Sequence, residues 1–448
     1  YGLSRHIPAD ERPVVLVSPY EHHSNQLPWL ESVAEVVEVD LDADGQVDLA
    51  DLDRKAARYA GRPLRVGAFS AGSNVTGALT DVRAVARVLH GRGFLACADY
   101  AAAGPYVPID MHPADPAERL DAIVVSTHKF AGGPEGSGIL VAQRDLFRSR
   151  TPERPGGGTV EYVAAFDRLS VDYTERLAER EEGGTPDILG DVRAGLAFLV
   201  KEALGPEAIL AHETALAERA MARLRRHPRI RLYGPPHGRR LPILSFNVDG
   251  LHHDFASALL DHLFGIQNRA GCSCAGPYGH RLLGIGPERS AALRRAIALG
   301  VLALKPGWVR ISLPYTATED EIEFLLEAVE LVADHGEAFL PLYRLGWGDG
   351  IWRPLEAAPV DPTPVDLTVD AVRTALLRDA PPAPPAEEPV TEAQAAALRR
   401  EYLDEARRLA GELAARHAAQ PPRWNPPTGD AFVDGLVWFR YVHADPAT

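Results

Sequence analysis

The sequence predicts an α/β protein with an open, mostly parallel sheet in a large domain, followed by a smaller α/β domain and a helical, Pro-rich tail. Over roughly the first two hundred residues, short apolar runs alternate with amphipathic stretches, as in a sheet covered by helices on both faces. The alternation then resumes on a smaller scale, before the composition shifts to Pro and Ala. We expect a large domain over 1–205, a small domain over 206–345 and a tail of unknown role over 346–448.

The apolar runs of the large domain have the length of buried strands. The predicted strands are 13–19, 64–70, 94–99, 120–127 and 136–143. Amphipathic helices are predicted over 49–61 and 80–93, the second with Thr80 as its N-cap. The strands are too few for a closed barrel, so the sequence favours an open sheet.

Helices dominate from about residue 187 onwards. The predicted helices are 188–205, 208–228, 252–265 and 316–336, and the predicted strands are 241–248 and 308–314. Beyond residue 350, two Pro-rich stretches are typical of extended linkers. A short helical stretch near 367–378 and a longer helix over 391–419 complete the tail.

The composition argues against several classes of function. The formal net charge is −15, so we expect no nucleic-acid partner and no membrane partner. No apolar run approaches the roughly 18 residues of a membrane-spanning helix. Three cysteines cannot form a disulfide framework, and a reducing compartment, the cytoplasm, fits best. We expect no metal site, because Cys272, Cys274 and His280 lack the usual CxxC spacing of zinc sites.

A lysine follows the strand predicted over 120–127, in the stretch VVSTHKFAGGPEGSG. Only four of the 47 Lys and Arg residues are lysines, so Lys129 suggests a role that arginine cannot fill. Asp99 ends the preceding strand, and the carboxyl ends of parallel strands border one crevice. An amine in apolar surroundings there could form an imine with a carbonyl group. Taken alone, the pattern also fits a surface lysine and an aspartate that caps a turn.

Seven motifs occur in one order along the chain. They are EHHSNQLPW (21–29), GSNVTG (72–77), ADYAAAGPYVPID (98–110), STHKFAGGPEGSGIL (126–140), GGTPD (183–187), RAGCSCAGP (269–277) and VRISLPY (309–315). Together they resemble the class V aminotransferases, closest to the cysteine desulfurase and selenocysteine lyase group, over about residues 14–335. The resemblance implies the fold of the type I pyridoxal-phosphate enzymes, pyridoxal 5′-phosphate as cofactor, and a homodimer.

The resemblance also implies how the cofactor would be held. Lys129 would carry it as a Schiff base and later move a proton. Asp99 would pair with the pyridinium nitrogen, His22 would stack on the ring, and Asn74 would reach the ring hydroxyl. The residues implied for the phosphate are Ser126, His128 and, from the neighbouring subunit, Thr185.

Two further residues point to the substrate and the reaction. By the same resemblance, Arg310 would bind the α-carboxylate of a small amino acid, and Cys274 would take sulfur from L-cysteine as a persulfide, leaving L-alanine. The expected function is therefore a cysteine desulfurase, with a sulfur-acceptor protein as a candidate partner. From the residues alone, Arg310 could instead face solvent, His22 and His23 could be ordinary surface residues, and Cys272 could form a redox pair with Cys274.

The chain departs from the family pattern in three places. Ala102 stands where many desulfurases have a Gln that contacts the ring hydroxyl. Cys272 and Ser273 replace the histidines usual before the catalytic cysteine. The family's N-terminal segment, with its Gly-Thr phosphate loop, has no counterpart before Tyr1, so we expect that segment to be absent from this sequence. An aminotransferase or epimerase on the same fold is the alternative function, and a non-catalytic scaffold is the second alternative.

Overall fold

The computed structural model describes residues 5–166, 170–356 and 390–445. The strands are β1 (Val14–Val17), β2 (Glu35–Glu38), β3 (Arg65–Ser70), β4 (Leu95–Asp99), β5 (Ala122–Ser126), β6 (Gly138–Ala142), β7 (Val160–Val163), β8 (Val171–Tyr173), β9 (Ile230–Leu232), β10 (Ile243–Val248), β11 (Arg269–Gly271), β12 (Trp308–Ser312), β13 (Tyr343–Leu345), β14 (Trp352–Pro354) and β15 (His443–Ala444). The helices are α1 (His23–Leu30), α2 (Leu49–Arg58), α3 (Val82–Gly91), α4 (Leu177–Glu181), α5 (Ile188–Leu204), α6 (Pro206–Leu224), α7 (His253–Phe264), α8 (Gly276–Leu283), α9 (Pro287–Ala298), α10 (Glu319–His335), α11 (Glu392–Ala419) and α12 (Ala431–Asp434).

The central sheet has the strand order β2-β1-β3-β4-β5-β6. All neighbouring strands are parallel except β6, which runs antiparallel to β5. One face is covered by α2 and α3, through Leu52 and Leu89, and the other face by Trp29 of α1. The open, mostly parallel sheet predicted from the apolar runs is therefore confirmed. The prediction succeeded because strands buried on both faces carry apolar residues at successive positions.

The N-cap predicted for α3 is wrong by one residue. Asp81 caps the helix, because its carboxylate accepts a hydrogen bond from the backbone N–H of Ala84. The hydroxyl of Thr80 is engaged elsewhere, since it donates to the carbonyl oxygen of Ser70 over 2.6 Å. Thr80 also shares a 2.8 Å hydrogen bond with the hydroxyl of Tyr20. Thr80, which the sequence alone favoured as the cap, therefore makes tertiary hydrogen bonds instead.

A second sheet, with the order β11-β12-β10-β9, is antiparallel throughout. Its core side packs on α7 and α10 through residues such as Phe246, Phe255 and Val329. Helix α10 begins with a capping box between Thr318 and Glu321, as its acidic first turn suggests. This sheet matters for the site because β11 and β12 carry residues that reach the large sheet.

The described part of the tail shares the core of the second sheet. Helix α11 starts at a capping box formed by Thr391 and Gln394, so the predicted helix over 391–419 is confirmed. Its buried residues are Leu403, Ala406, Ala410 and Leu413. The stretch predicted to be helical near 367–378 lies outside the described residues. Within the described ranges, no helix combines the length and the apolar character needed to cross a bilayer.

Two adjacent histidines, His252 and His253, anchor the tail. His252 is 1% exposed and lies against Trp352, Trp438 and Phe439. With Asp254 the two histidines bring possible metal ligands within 4.8 Å of one another. Both nitrogens of His252 are nevertheless occupied. Nε2 lies 2.9 Å from the carbonyl oxygen of Ala303, and Nδ1 accepts from the backbone N–H of Asp254 and the indole of Trp352. A packing role explains this ring fully.

The burial of His252 makes the free energy of unfolding depend on pH. Burial lowers the pKa of His252 to about 4, so the folded ring stays neutral while the unfolded chain takes up a proton below its ordinary value of 6.5. This contribution to stability is present above pH 6.5 and is lost as the pH falls towards 4. Between pH 7 and pH 5, we expect the free energy of unfolding to fall by about 2 kcal/mol less in His252→Gln than in the parent.

Urea unfolding at the two pH values measures this difference. Asp254 acts in the opposite sense, since burial raises its pKa to about 6. It is retained in the variant, so its contribution cancels in the comparison. His335→Gln, an exposed site at the end of α10, is the matched control. Equal pH dependence in the parent and His252→Gln would contradict the assignment.

Candidate active site

The site begins at two adjacent strand ends of the central sheet. β4 ends at Asp99, and Lys129 closes the single turn of 3-10 helix, Thr127–Lys129, that follows β5. These strands are parallel, with Asp99 opposite Val124, so both side chains belong to the carboxyl edge of the sheet. The crevice predicted from the strand pattern is therefore formed.

Lys129 is solvent-exposed in the open cleft, yet the surrounding protein disfavours its charge. Partial desolvation by the walls of the cleft lowers the pKa of Lys129, and the guanidinium groups of Arg310 and Arg269 lower it further. The carboxylate of Asp99 opposes that shift. The result is an amine more readily available in its neutral, nucleophilic form than that of an isolated lysine.

Asp99 is buried, with 8% of its surface exposed. Its Oδ1 accepts a 2.7 Å hydrogen bond from the backbone N–H of Ala101, so it caps the following turn. Burial raises the pKa of Asp99, while the charges of Lys129 and His22 lower it. Among the described residues, Oδ2 accepts no hydrogen bond. Oδ1 of Asp99 therefore makes a structural contact, and Oδ2 is left free in the cleft.

His22 lies at the start of α1, where its Nδ1 accepts from the backbone N–H of Ser24 over 3.1 Å. Burial lowers the pKa of His22, with Lys129 adding to the shift and Asp99 opposing it. His22 is half-buried and its Nδ1 is engaged by the backbone of its own helix, so it is not a freely exposed surface histidine. The favoured form is the neutral imidazole.

The RAGCSCAGP motif forms a turn that the sequence did not predict in detail. Ala275 N–H donates to the carbonyl oxygen of Cys272 over 3.1 Å, and both central residues are left-handed, with φ of 52° at Ser273 and 57° at Cys274. Such a backbone is costly for residues other than glycine, at about 1 kcal/mol or more each. It persists only where the surroundings impose it.

Contacts from the large domain hold this turn. His23 donates its backbone N–H to the carbonyl oxygen of Cys274 over 2.9 Å, and its Nε2 accepts from the N–H of Gly276 over 3.0 Å. Asn74 donates its side-chain amide to the carbonyl oxygen of Ser273 over 2.7 Å. His23 is thus a site residue whose role sequence reasoning missed, although its motif had been singled out.

The two cysteines of the turn have different surroundings. Cys274 Sγ lies 3.7 Å from Nη2 of Arg269, and Arg269 lies opposite Arg310 on the neighbouring strand. Cys272 instead packs against the apolar core of the large domain. Cys274 therefore belongs to the cleft, and Arg269 is a second residue that sequence reasoning missed. Its position five residues before Cys274 was the available signal.

Arg310 lies on β12, opposite Ser245 and Arg269 of the neighbouring strands. It is half-buried, so the solvent-facing alternative is wrong, and its Nη1 donates to the backbone oxygen of Asn74 over 3.0 Å. Burial lowers the pKa of Arg310 and Arg269 lowers it further. No carboxylate of the described residues pairs with Arg310. A half-buried guanidinium without an anionic partner is suited to bind a carboxylate ligand.

The residues predicted to contact a phosphate are less closely joined to this cluster. Ser126 ends β5 half-buried, and His128 is exposed next to Lys129. Thr185 lies in the exposed loop between α4 and α5. In the described ranges, no side-chain hydrogen bond links any of the three to Asp99 or Lys129. Their roles stay predictions.

An open α/β sheet with a lysine and an aspartate at adjacent strand ends defines the class of fold, that of the type I pyridoxal-phosphate proteins. Residues 1–325 match the aminotransferase class-V family, and the chain belongs to that family.

Relatives and solved structures agree with this membership. A "probable cysteine desulfurase" of Halobacterium salinarum is 31% identical over 335 residues, which are 74% of this chain and 71% of that protein. A protein of the same name from Halalkalibacterium halodurans is 30% identical over 282 residues, 62% of this chain and 64% of that protein. This chain thus spans less than two thirds of the length of the second relative. The apo structure of a cysteine desulfurase from Thermococcus onnurineus NA1 matches with 25% identity and a TM-score of 0.59, over 74% of this chain and 75% of that one.

Proposed function

We propose that this protein is a pyridoxal-phosphate-dependent cysteine desulfurase that converts L-cysteine to L-alanine and places the sulfur on Cys274. One observation carries the proposal. The thiol of Cys274 lies 3.7 Å from Nη2 of Arg269, which lies opposite Arg310 on the neighbouring strand. Asn74 joins the same groups, since its side-chain amide donates to the turn at Ser273 and its backbone oxygen accepts from Arg310. An aminotransferase needs an amine and a carboxylate-binding arginine, but it has no use for a thiol there.

The chain's residues fit the cofactor. Lys129 supplies an amine of lowered pKa for its aldehyde, and the free Oδ2 of Asp99 would accept from the pyridinium N–H. The imidazole of His22, beside both groups, would cover the ring face. Asn74 already donates to Ser273, so only its remaining amide hydrogen or its oxygen is available for the ring hydroxyl. When bound, the cofactor supplies an electron sink for the substrate's α-carbon.

The other residues of the cleft bind substrate and receive sulfur. Arg310 would hold the α-carboxylate and so orient the substrate, an alignment that supplies much of the catalytic advantage of any site. Cys274 would attack the substrate sulfur: the bond from that sulfur to Cβ breaks, and a sulfur–sulfur bond to Cys274 forms. The electron pair of the broken bond stays on Cβ, which takes up the proton that the Cys274 thiol gives up. Lys129 would remove the proton of Cα and return it there, giving alanine. Arg269, whose Nη2 lies 3.7 Å from the thiol, would hold it in place.

We also propose a homodimer, on the evidence of one helix. The outward face of α5 carries large apolar side chains at helical spacing. They are Ile188, Leu189, Val192, Leu196 and Leu199, each more than half exposed. Such a patch is unusual for a surface that stays in contact with water. Thr185 lies just ahead of it, so an interface over α5 would carry this residue towards a partner's site.

Further parts of the proposal concern context. We propose a division into a large domain (1–205), a small domain (206–345) and a tail (346–448), with a sulfur-acceptor protein as partner. The free thiols of Cys97, Cys272 and Cys274 suit a reducing compartment, and we propose the cytoplasm.

The test is a product analysis with full-length protein, saturating pyridoxal phosphate, L-cysteine and a dithiol reductant. We expect alanine and sulfide in equal amounts. Keto-acid formation without sulfide, together with conversion of the cofactor to its amine form, would identify an aminotransferase instead. Racemised cysteine would identify an epimerase, and failure to bind the cofactor would favour a scaffold.

A further inference from the structure

A second lysine of this lysine-poor chain is buried beneath the candidate site. Lys201 is 6% exposed, and its Nζ donates to the carbonyl oxygens of Gly104 and Val107 over 2.7 and 2.6 Å. It lies on the inward side of α5 with the buried small residues Gly190, Ala194 and Ala197. Phe198 of the same helix is partly buried and lies 4.9 Å from the ring of Phe130. No carboxylate of the described residues forms an ion pair with it. A buried ammonium group held only by backbone oxygens needs a reason, because its desolvation is costly.

The backbone that Lys201 binds is the loop that follows Asp99, residues 100–107. Its carbonyl groups at Gly104 and Val107 point inwards and accept from Nζ. The loop turns tightly there: the N–H of Gly104 donates to the carbonyl oxygen of Tyr100 over 2.7 Å, and a Cβ on Gly104 would approach that oxygen to 2.6 Å. Lys201 therefore fixes the loop through which the chain leaves Asp99.

The same ammonium group also contacts the segment that carries Lys129. Nζ lies 5.6 Å from the ring centroid of Phe130, which follows Lys129 directly and is 4% exposed. A Cβ on Gly104 would meet this ring at 3.4 Å, so the loop and Phe130 are in direct contact. Lys201 thus joins both segments at the point where they touch.

An ammonium group suits this position better than a guanidinium. Its three N–H directions serve two carbonyl oxygens and one ring face from a single atom, whereas the flat fork of arginine spreads its donors. Burial lowers the pKa of Lys201 to about 8, with the charges of Glu202 and Glu207 opposing the shift. The neutral amine keeps two donors for the two oxygens, so the hydrogen bonds to the loop do not depend on the charge.

We propose that Lys201 is a positioning residue for the cofactor site: it holds the loop after Asp99 against Phe130 and thereby sets the separation between the carboxylate of Asp99 and the amine of Lys129. The use of these two groups rests on the proposed function, but the mechanical link does not. Lys201 touches neither substrate nor cofactor in this proposal. Its substitution acts through the two groups that do.

The test compares Lys201→Met with Lys201→Gln, which keeps two N–H donors on a side chain one atom shorter. Lys305→Met, at an exposed lysine, is the control. Hydrogen exchange, followed by mass spectrometry, is measured first on cofactor-free protein. We expect faster exchange in two peptides, 100–107 and 127–136, in Lys201→Met and a smaller increase in Lys201→Gln. Exchange in α10 and in the control should be unchanged.

The second measurement is cofactor binding by absorbance. We expect at least a tenfold weaker affinity in Lys201→Met and a shifted pH midpoint of the bound cofactor's spectrum, with Lys201→Gln in between. In Lys201→Met, a uniform increase in exchange over the large domain, or faster exchange in one of the two peptides only, would overturn the proposal. A spectrum of the bound cofactor unchanged from that of the parent would also overturn it. If neither the parent nor Lys201→Met binds the cofactor, but peptides 100–107 and 127–136 exchange faster in Lys201→Met, the proposed function is wrong. The role of Lys201 in holding the loop against Phe130 then stands.

Discussion

Lys129→Ala is expected to abolish covalent attachment of the cofactor and to lower the rate of sulfide release from cysteine by at least about 10³-fold. No other lysine can replace it. Lys55 is paired with the buried carboxylate of Asp51 over 2.7 Å, and Lys201 is bound to backbone oxygens on the far side of Phe130. Only Lys129 combines access from the cleft with surroundings that lower its pKa.

Borohydride reduction followed by peptide mapping is the measurement. The parent protein should carry the reduced cofactor on the peptide that contains Lys129, and Lys129→Ala should carry none. Lys305→Ala, at an exposed site, should label and react like the parent. A reduced label on any other lysine, with activity retained in Lys129→Ala, would show that the assignment of the anchor is wrong.

Cys274→Ser is expected to bind the cofactor normally but to release sulfide at least about 10²-fold more slowly, because a hydroxyl cannot form the persulfide. The turn itself should survive, since its strained backbone is held through the backbone groups of Ser273, Cys274 and Gly276 rather than through the thiol. Stopping the reaction with an alkylating agent should reveal one extra sulfur atom on the Cys274 peptide of the parent protein.

Cys272→Ser is the matched control, because Cys272 lies two residues before Cys274 in the same turn. Its side chain packs on the apolar core, so we expect near-parental sulfide release and the extra sulfur still on Cys274. Equal losses in both variants, with a disulfide between the two cysteines in the parent after turnover, would favour a redox pair. Undiminished activity in Cys274→Ser would remove the thiol from the mechanism.

Much of the fold was predictable because it depends on local signals. Five of the six strands of the central sheet are apolar runs of the right length, and strands joined by helices form parallel neighbours. The edge strand β2, with the sequence EVVE, was not predicted. Asp99 and Lys129 could be placed at adjacent strand ends on that basis. The short strands β7, β8 and β9 were not predicted, since three or four residues carry too weak a pattern.

The site was predictable only where a motif carried it. Glu213, outside the site described above, shows the same limit for buried charges. It is 1% exposed, its Oε1 has no hydrogen-bond partner among the described residues, and burial raises its pKa to about 7, yet nothing in the surrounding helix marks it. Burial of a charged group depends on which elements pack over it. A single sequence does not contain that information.

The sequence by itself determined the family and the sheet and predicted which amine would hold the cofactor, because strand periodicity, scarce lysines and ordered motifs are properties of the chain. The tertiary structure decided how the groups are used. It brought Arg269 to Cys274, left Arg310 without a carboxylate partner among the described residues, and set Lys201 between the loop after Asp99 and Phe130. These are contacts between residues distant along the chain, and only packing fixes their distances.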